Sequence, residues 1–357
     1  MTLRLRVIAE KMFELDKILR ENIRNLVPYS TARDEFKGKA EVFLDANENS
    51  YGSPSEKRYN RYPDPMQKDL KAKLSSIKGI PPENILLGNG SDEVIDLLYR
   101  AFCNPGIDSV ILCPPTYGMY EVSANINDVA VKKVSLMRDF QLNIEDISEL
   151  VDERTKMIFI CSPNNPSGNS MNREDVEMIL NNFEGIVVID EAYINYSRQK
   201  SFMAELTEYP NLVIMQTLSK AWGLAGLRLG MLFASEEIIA VLNKIKPPYN
   251  INQATQEIVM DALNNIQQVN EWTKRTVDER EKLKMELAKL DFVKFIFPSD
   301  ANFLLVKMDD AKGMYDKLVG SGIIVRDRSK VTLCEDCLRI TVGTPEENVK
   351  LINELKM

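Results

Sequence analysis

The chain of 357 residues is 44% hydrophobic, enough apolar material for a substantial core, and its length suits two domains better than one. Its formal charge of −8 comes without a basic run, which argues against nucleic acid, and no apolar stretch approaches the roughly 20 residues of a bilayer span, so no membrane is expected. Histidine is absent, which excludes Ser-His-Asp triads, His-ligated zinc and imidazole acid–base catalysis and leaves proton transfer to Lys, Tyr, Asp, Glu or Cys.

The opening MTLRLRVIAEKMFELDK interleaves charge too densely for a signal-peptide core. Glu10, Glu14 and Asp16 argue against a transit peptide, so a cytoplasmic protein is expected. Beyond it, β-rich runs at 85–87, 109–113, 157–161, 186–189, 213–216 and 229–233 alternate with helical stretches such as 92–102 and 173–182. Such alternation predicts an α/β fold with a mainly parallel sheet covered on both faces. From about Gln267 the pattern changes to a long charged helix, EWTKRTVDEREKLKMELAKL, whose charge reads as a solvated face. Strand-like runs at 293–297, 303–307 and 338–342 and a helix near 313–320 follow. The division expected is an N-terminal arm, 1–45, lying with the small domain, a large domain, 46–265, and a small α/β domain, 266–357.

Five cysteines, Cys103, Cys113, Cys161, Cys334 and Cys337, sit mostly in apolar runs and fit reduced core residues. Cys334 and Cys337 form a CxxC, but no further soft ligands match it for zinc and no helix opens on it for redox work. Two thiols in a loop before a strand are therefore expected.

Four stretches carry chemistry. In LLGNGSDEVIDLL, Gly88, Gly90 and Ser91 precede a helix starting near Asp92, where backbone amides and the helix dipole can cradle a phosphate, although a capped helix start explains it equally well. CSPNNPSG follows an apolar strand, and turn chemistry alone accounts for it unless Asn165 points at a ligand oxygen. GIVVIDEAY ends an apolar strand on Asp190, a carboxylate whose desolvation calls for a cationic partner, unless it caps the next helix. TLSKAWGLAGLRLG runs a strand into Lys220 and then to Arg228. A lysine attacks a carbonyl only as the free amine, so a working Lys220 needs its pKa lowered by burial or by a neighbouring cation such as Arg228.

Taken in order, GNGSDE, CPPTYGMY, SPNNPSG, IDEAY, SKAWGLAGLRLG and CLRITVG resemble the fold-type I pyridoxal-phosphate (PLP) aminotransferases, and NLVPY, LDANEN and RYPD resemble their histidinol-phosphate branch. The resemblance runs from about Ile23 to the C-terminus and implies a large domain with a seven-stranded sheet. It implies transamination between L-histidinol phosphate and 2-oxoglutarate, giving glutamate, in histidine biosynthesis. Under it, Lys220 is the Schiff-base lysine and acid–base group, and Asp190 is the partner of the pyridine nitrogen. Asn165 and Tyr193 would bond the ring hydroxyl oxygen, with Tyr117 stacked on the ring. Gly90, Ser91, Asp92, Thr217, Ser219 and Arg228 would hold the cofactor phosphate. Arg339 would grip an α-carboxylate, and Arg326, Tyr29 and Tyr249 the substrate phosphate. Asn47 and Tyr117 are candidates for the imidazole. Tyr62 would reach the cofactor phosphate of a second subunit, so a homodimer is implied. The first eleven residues have no counterpart. An aromatic aminotransferase or a phosphothreonine-type decarboxylase of the same fold would use the same lysine and aspartate. A PLP-binding regulator would carry a DNA-binding module, and none is evident.

Overall fold

A computed structural model describes residues 13–30 and 41–356, so the first eleven residues lie outside the described part. Strands β1 (Ile85–Asn89), β2 (Ser109–Leu112), β3 (Ala130–Lys133), β4 (Thr155–Cys161), β5 (Ile186–Asp190), β6 (Leu212–Thr217) and β7 (Leu229–Phe233) form one sheet in the order β1-β7-β6-β5-β4-β2-β3. The pairs among β2 to β6 are parallel, while β7 runs antiparallel to both β6 and β1.

Side chains alternate across a strand, and here both faces are buried. Ile158, Ile160, Val187, Ile189 and Ile214 enter one core, and Met157, Phe159, Ile186, Val188, Val213 and Met215 enter the other. That is why these strands read as unbroken apolar runs. β3 was not anticipated: its sequence AVKK is a half-exposed edge strand without that signature.

A second sheet, β8 (Val293–Ile296), β9 (Phe303–Met308), β10 (Arg326–Asp327) and β11 (Cys337–Thr341), is antiparallel throughout in the order β10-β11-β9-β8. Leu304, Val306, Leu338 and Ile340 pack on Leu283, Leu287 and Leu351 to give it a core of its own. The helix Ile266–Leu287 sends Val269 into the large core and Leu283 and Leu287 into the small one, tying the two sheets together.

The described N-terminal residues differ from expectation. Ile18, Leu19 and Ile23 join the core beside the helices Gly90–Phe102 and Glu236–Ile245, and Arg20 Nη1 donates to the Arg100 carbonyl at 2.7 Å. The described residues 13–30 thus pack on the helices of the large sheet.

Candidate active site

Parallel sheets place their chemistry at the carboxyl ends of the strands, and this one follows suit. Asn89 ends β1, Cys161 ends β4, Asp190 ends β5 and Thr217 ends β6. Because β7 is reversed, its first residue, Leu229, lies opposite Asn89 at the same edge and brings Arg228 with it. A cavity of about 590 Å³ opens there. Its wall includes Ser91, Asp92, Tyr117, Asn165, Asp190, Tyr193, Thr217, Ser219, Lys220, Arg228, Arg326 and Arg339, twelve of the residues singled out in the sequence.

Asp190 is 4% exposed, and burial pushes its carboxyl above the usual range. Three contacts pull the other way: the Tyr120 hydroxyl donates to Oδ2 at 2.5 Å, the Ala192 amide donates to Oδ1 at 3.0 Å, and Lys220 attracts the negative charge. The carboxylate is thus oriented but lacks a full counter-charge. Lys220 is moved down from the ordinary lysine value, first by desolvation and then by the Arg339 guanidinium, with Arg228 adding to the effect and Asp190 opposing it. Its Nζ stands 5.5 Å from the centre of the Tyr193 ring. Partial burial and flanking cations are what an amine needs to be nucleophilic near neutral pH.

The helix Gly90–Phe102 begins two residues earlier than expected, and its first residue, Gly90, takes a left-handed φ of +78°. A Cβ there would lie 2.5 Å from Arg228 Nη2, so glycine makes room for the guanidinium. Arg228 itself turns left-handed at φ 52° and pairs with Asp92 Oδ2 at 3.1 Å, and the Tyr117 hydroxyl donates to Asp92 Oδ1 at 3.2 Å. The Asp92 carboxylate is therefore occupied. The Thr217 hydroxyl donates to Ser219 Oγ at 3.0 Å and accepts from the Ser219 amide at 3.0 Å. Hydroxyls, helix-start amides and a guanidinium at one end, with a buried carboxylate at the other, fit a molecule carrying a phosphate and a protonated ring nitrogen.

The chain matches the family Aminotransferase class I and II over residues 34–355. The chain belongs to that aminotransferase family. A relative from Cytophaga hutchinsonii named histidinol-phosphate aminotransferase is 56% identical over 96% of this chain and 99% of its own length. The solved histidinol-phosphate aminotransferase from Clostridium acetobutylicum is 26% identical, with a TM-score of 0.77 over 84% of this chain and 90% of that one. The one from Sinorhizobium meliloti, in complex with pyridoxal-5'-phosphate, shares the fold at 23% identity and a TM-score of 0.77, covering 87% of this chain and 88% of that one.

Four expected residues of this aminotransferase lie apart from Lys220. Asn47, Tyr62 and Tyr249 line a second cavity of about 480 Å³, in which the Tyr62 and Tyr249 rings stack at 4.4 Å. Tyr29 is exposed and lines neither cavity. Two residues escaped the sequence reading. Tyr120 closes the motif CPPTYGMY, but nothing in the sequence pairs it with Asp190, which the sheet sets against its hydroxyl. Arg328 lines the cavity beside Arg326 and Arg339, and only the pairing of β10 with β11 reveals that.

Cys334 and Cys337 are free and packed in the large core, where burial pushes both thiols up to about 12. Cys337 opens β11, so one thiol lies in the preceding loop and the other starts the strand. No metal-binding cluster exists among the described residues, and no described helix is long and apolar enough to cross a membrane.

Proposed function

We propose that this aminotransferase transfers the amino group between L-histidinol phosphate and 2-oxoglutarate, giving imidazole-acetol phosphate and L-glutamate in histidine biosynthesis, with PLP as cofactor. The observation that carries the reading is one cavity holding Lys220 between the buried Asp190 and the arginines Arg326 and Arg339. Relatives of that name at 56% identity over nearly the whole chain support it. When bound, PLP supplies a carbonyl for amine attachment and a ring that withdraws electrons while its nitrogen is protonated.

In this reading Asp190 holds the proton on the ring nitrogen, and Tyr120 and Ala192 keep the carboxylate aimed. Lys220 Nζ removes the proton from the amino-bearing carbon of the substrate and returns it on the other side of the exchange. Gly90, Ser91 and Asp92 amides with Thr217, Ser219 and Arg228 would hold the cofactor phosphate, Tyr117 would cover the ring face, and Asn165 and Tyr193 its hydroxyl oxygen. Arg339 and Arg326 would take the substrate's anions, since a planar fork suits both carboxylate and phosphate.

The second cavity, with Asn47, Tyr62 and Tyr249, would complete the site of a second subunit in a homodimer, with Tyr29 carried in from the N-terminal arm. A biosynthetic enzyme of this kind would work in the cytoplasm. The test is an absorbance scan of the purified holoenzyme. L-histidinol phosphate should abolish the visible band of the bound cofactor, and 2-oxoglutarate should restore it. A higher kcat/KM for phenylalanine than for L-histidinol phosphate would replace this reading with an aromatic aminotransferase.

A further inference from the structure

β10 is only two residues long, Arg326–Asp327, but the ladder continues: the Arg328 amide donates to the Cys337 carbonyl at 2.9 Å. Alternation along the strand puts Arg326 and Arg328 on one face and Asp327 on the other, where Asp327 Oδ1 accepts from the Ser329 amide at 2.9 Å. Arg339 lies opposite Arg326 in register, so the same face carries a third guanidinium. All three reach the cavity that holds Lys220.

Among the described residues no carboxylate forms an ion pair with any of the three, in contrast to Arg228 with Asp92 at 3.1 Å. Arg339 Nη1 donates to Asn165 Oδ1, but Nε of both Arg328 and Arg339 is buried without a hydrogen-bond partner. Clustered like charges with unmade donors are costly unless an anion completes them.

The loop that carries Arg328 is also anchored. The Val331 amide donates to the Arg328 carbonyl at 2.8 Å, the Cys334 amide to the Val331 carbonyl at 2.9 Å, and the Cys337 amide to the Cys334 carbonyl at 3.0 Å. Both cysteine side chains are sunk in the large core, and Val331 lines the cavity. The CxxC thus acts as an apolar fastening for the turn.

We infer that Arg328 is a specificity-determining residue of the substrate site, gripping the distal phosphate of the amino donor and the distal carboxylate of the acceptor. The inference rests on the transamination proposed above. A phosphate monoester carries close to two negative charges above its second pKa of about 6, and a third guanidinium answers that charge where two would share it. A substrate without a distal anion leaves Arg328 unmatched.

The holoenzyme and its Arg328→Gln and Arg328→Lys variants test this, with thermal melts as a folding control. The first measurement compares kcat/KM for L-histidinol phosphate and for L-histidinol, which lacks the phosphate. The second is the calorimetric Kd of 2-oxoglutarate for the PLP form, where no amino group is present to transfer. In Arg328→Gln the ratio of the two kcat/KM values should fall at least roughly tenfold, mainly through KM, and 2-oxoglutarate should bind at least roughly fivefold more weakly. Arg328→Lys, which keeps charge but loses the fork, should fall between. Equal losses on both amines, or an unchanged Kd for 2-oxoglutarate, would overturn the assignment. If the wild type does not turn over L-histidinol phosphate, the proposed function fails by itself, and the Kd measurement still decides Arg328. Should Arg328→Gln not fold, the same ratio and Kd in Arg328→Lys decide it.

Discussion

Asp190 is a costly residue to keep in a cofactor-free protein. Burial raises its pKa above the unfolded value of about 3.9, so between those two values the folded chain holds a proton that the unfolded chain has lost. Stability contributed at this position therefore declines as pH rises through that window. In cofactor-free protein Asp190→Asn should melt higher than the wild type near pH 7, and the gap should narrow as pH falls toward about 4. Superimposable melting temperatures across that range would contradict it. The loaded variant should lose at least roughly a hundredfold in rate, or about 2.7 kcal/mol at the transition state, since a neutral amide cannot hold the ring proton. The carboxylate was legible because a charge closing an apolar strand demands explanation. Its keeper, Tyr120, was not, since the hydroxyl that reaches Asp190 comes from a helix seventy residues earlier in the chain.

At the scale of elements, β7 and the start of the helix Gly90–Phe102 approach closely enough to exclude side chains. A Cβ on Gly230 would lie 2.5 Å from both Gly90 C and Ser91 N, and backbone cannot yield as a flexible side chain can. Gly230→Ala should cost about 1–3 kcal/mol in stability and weaken PLP retention on dialysis, because it displaces the helix-start amides. Unaltered denaturation and retention would mean that the contact relaxes freely. Elements buried on both faces were readable from their apolar runs. Two strands were not: AVKK of β3 lies at an edge, and the two residues of β10 are too short for any period to show. The two residues Gly90 and Ser91 that open the helix before Asp92 were not legible either, since glycine is a poor helix former and Gly90 is left-handed.

For the whole molecule, the proposed two-chain site is supported by Tyr62 and Tyr249 lining a different cavity from Lys220. Val27, Val42 and Leu44 of the arm and Tyr51 just beyond it are also exposed on a single chain, apolar surface that the proposed second copy would cover. Neither fact follows from any local pattern in the sequence. Mixing inactive Lys220→Ala with inactive Tyr62→Ala subunits should regenerate some sites with both residues intact, up to about a quarter of all sites when subunits exchange freely. A fully active monomer in sedimentation would defeat the two-chain site.

The reversal of β7 also bears on how the gene can be cut and rejoined. Residues 218–228 leave and re-enter the sheet at one edge, so Lys220 and Arg228 are held by a connection that never crosses the domain. An inserted tag or a new terminus between Thr217 and Leu229 would part them. A break at the opposite edge, as in the turn before β2, leaves Lys220 and Arg228 on one unbroken connection.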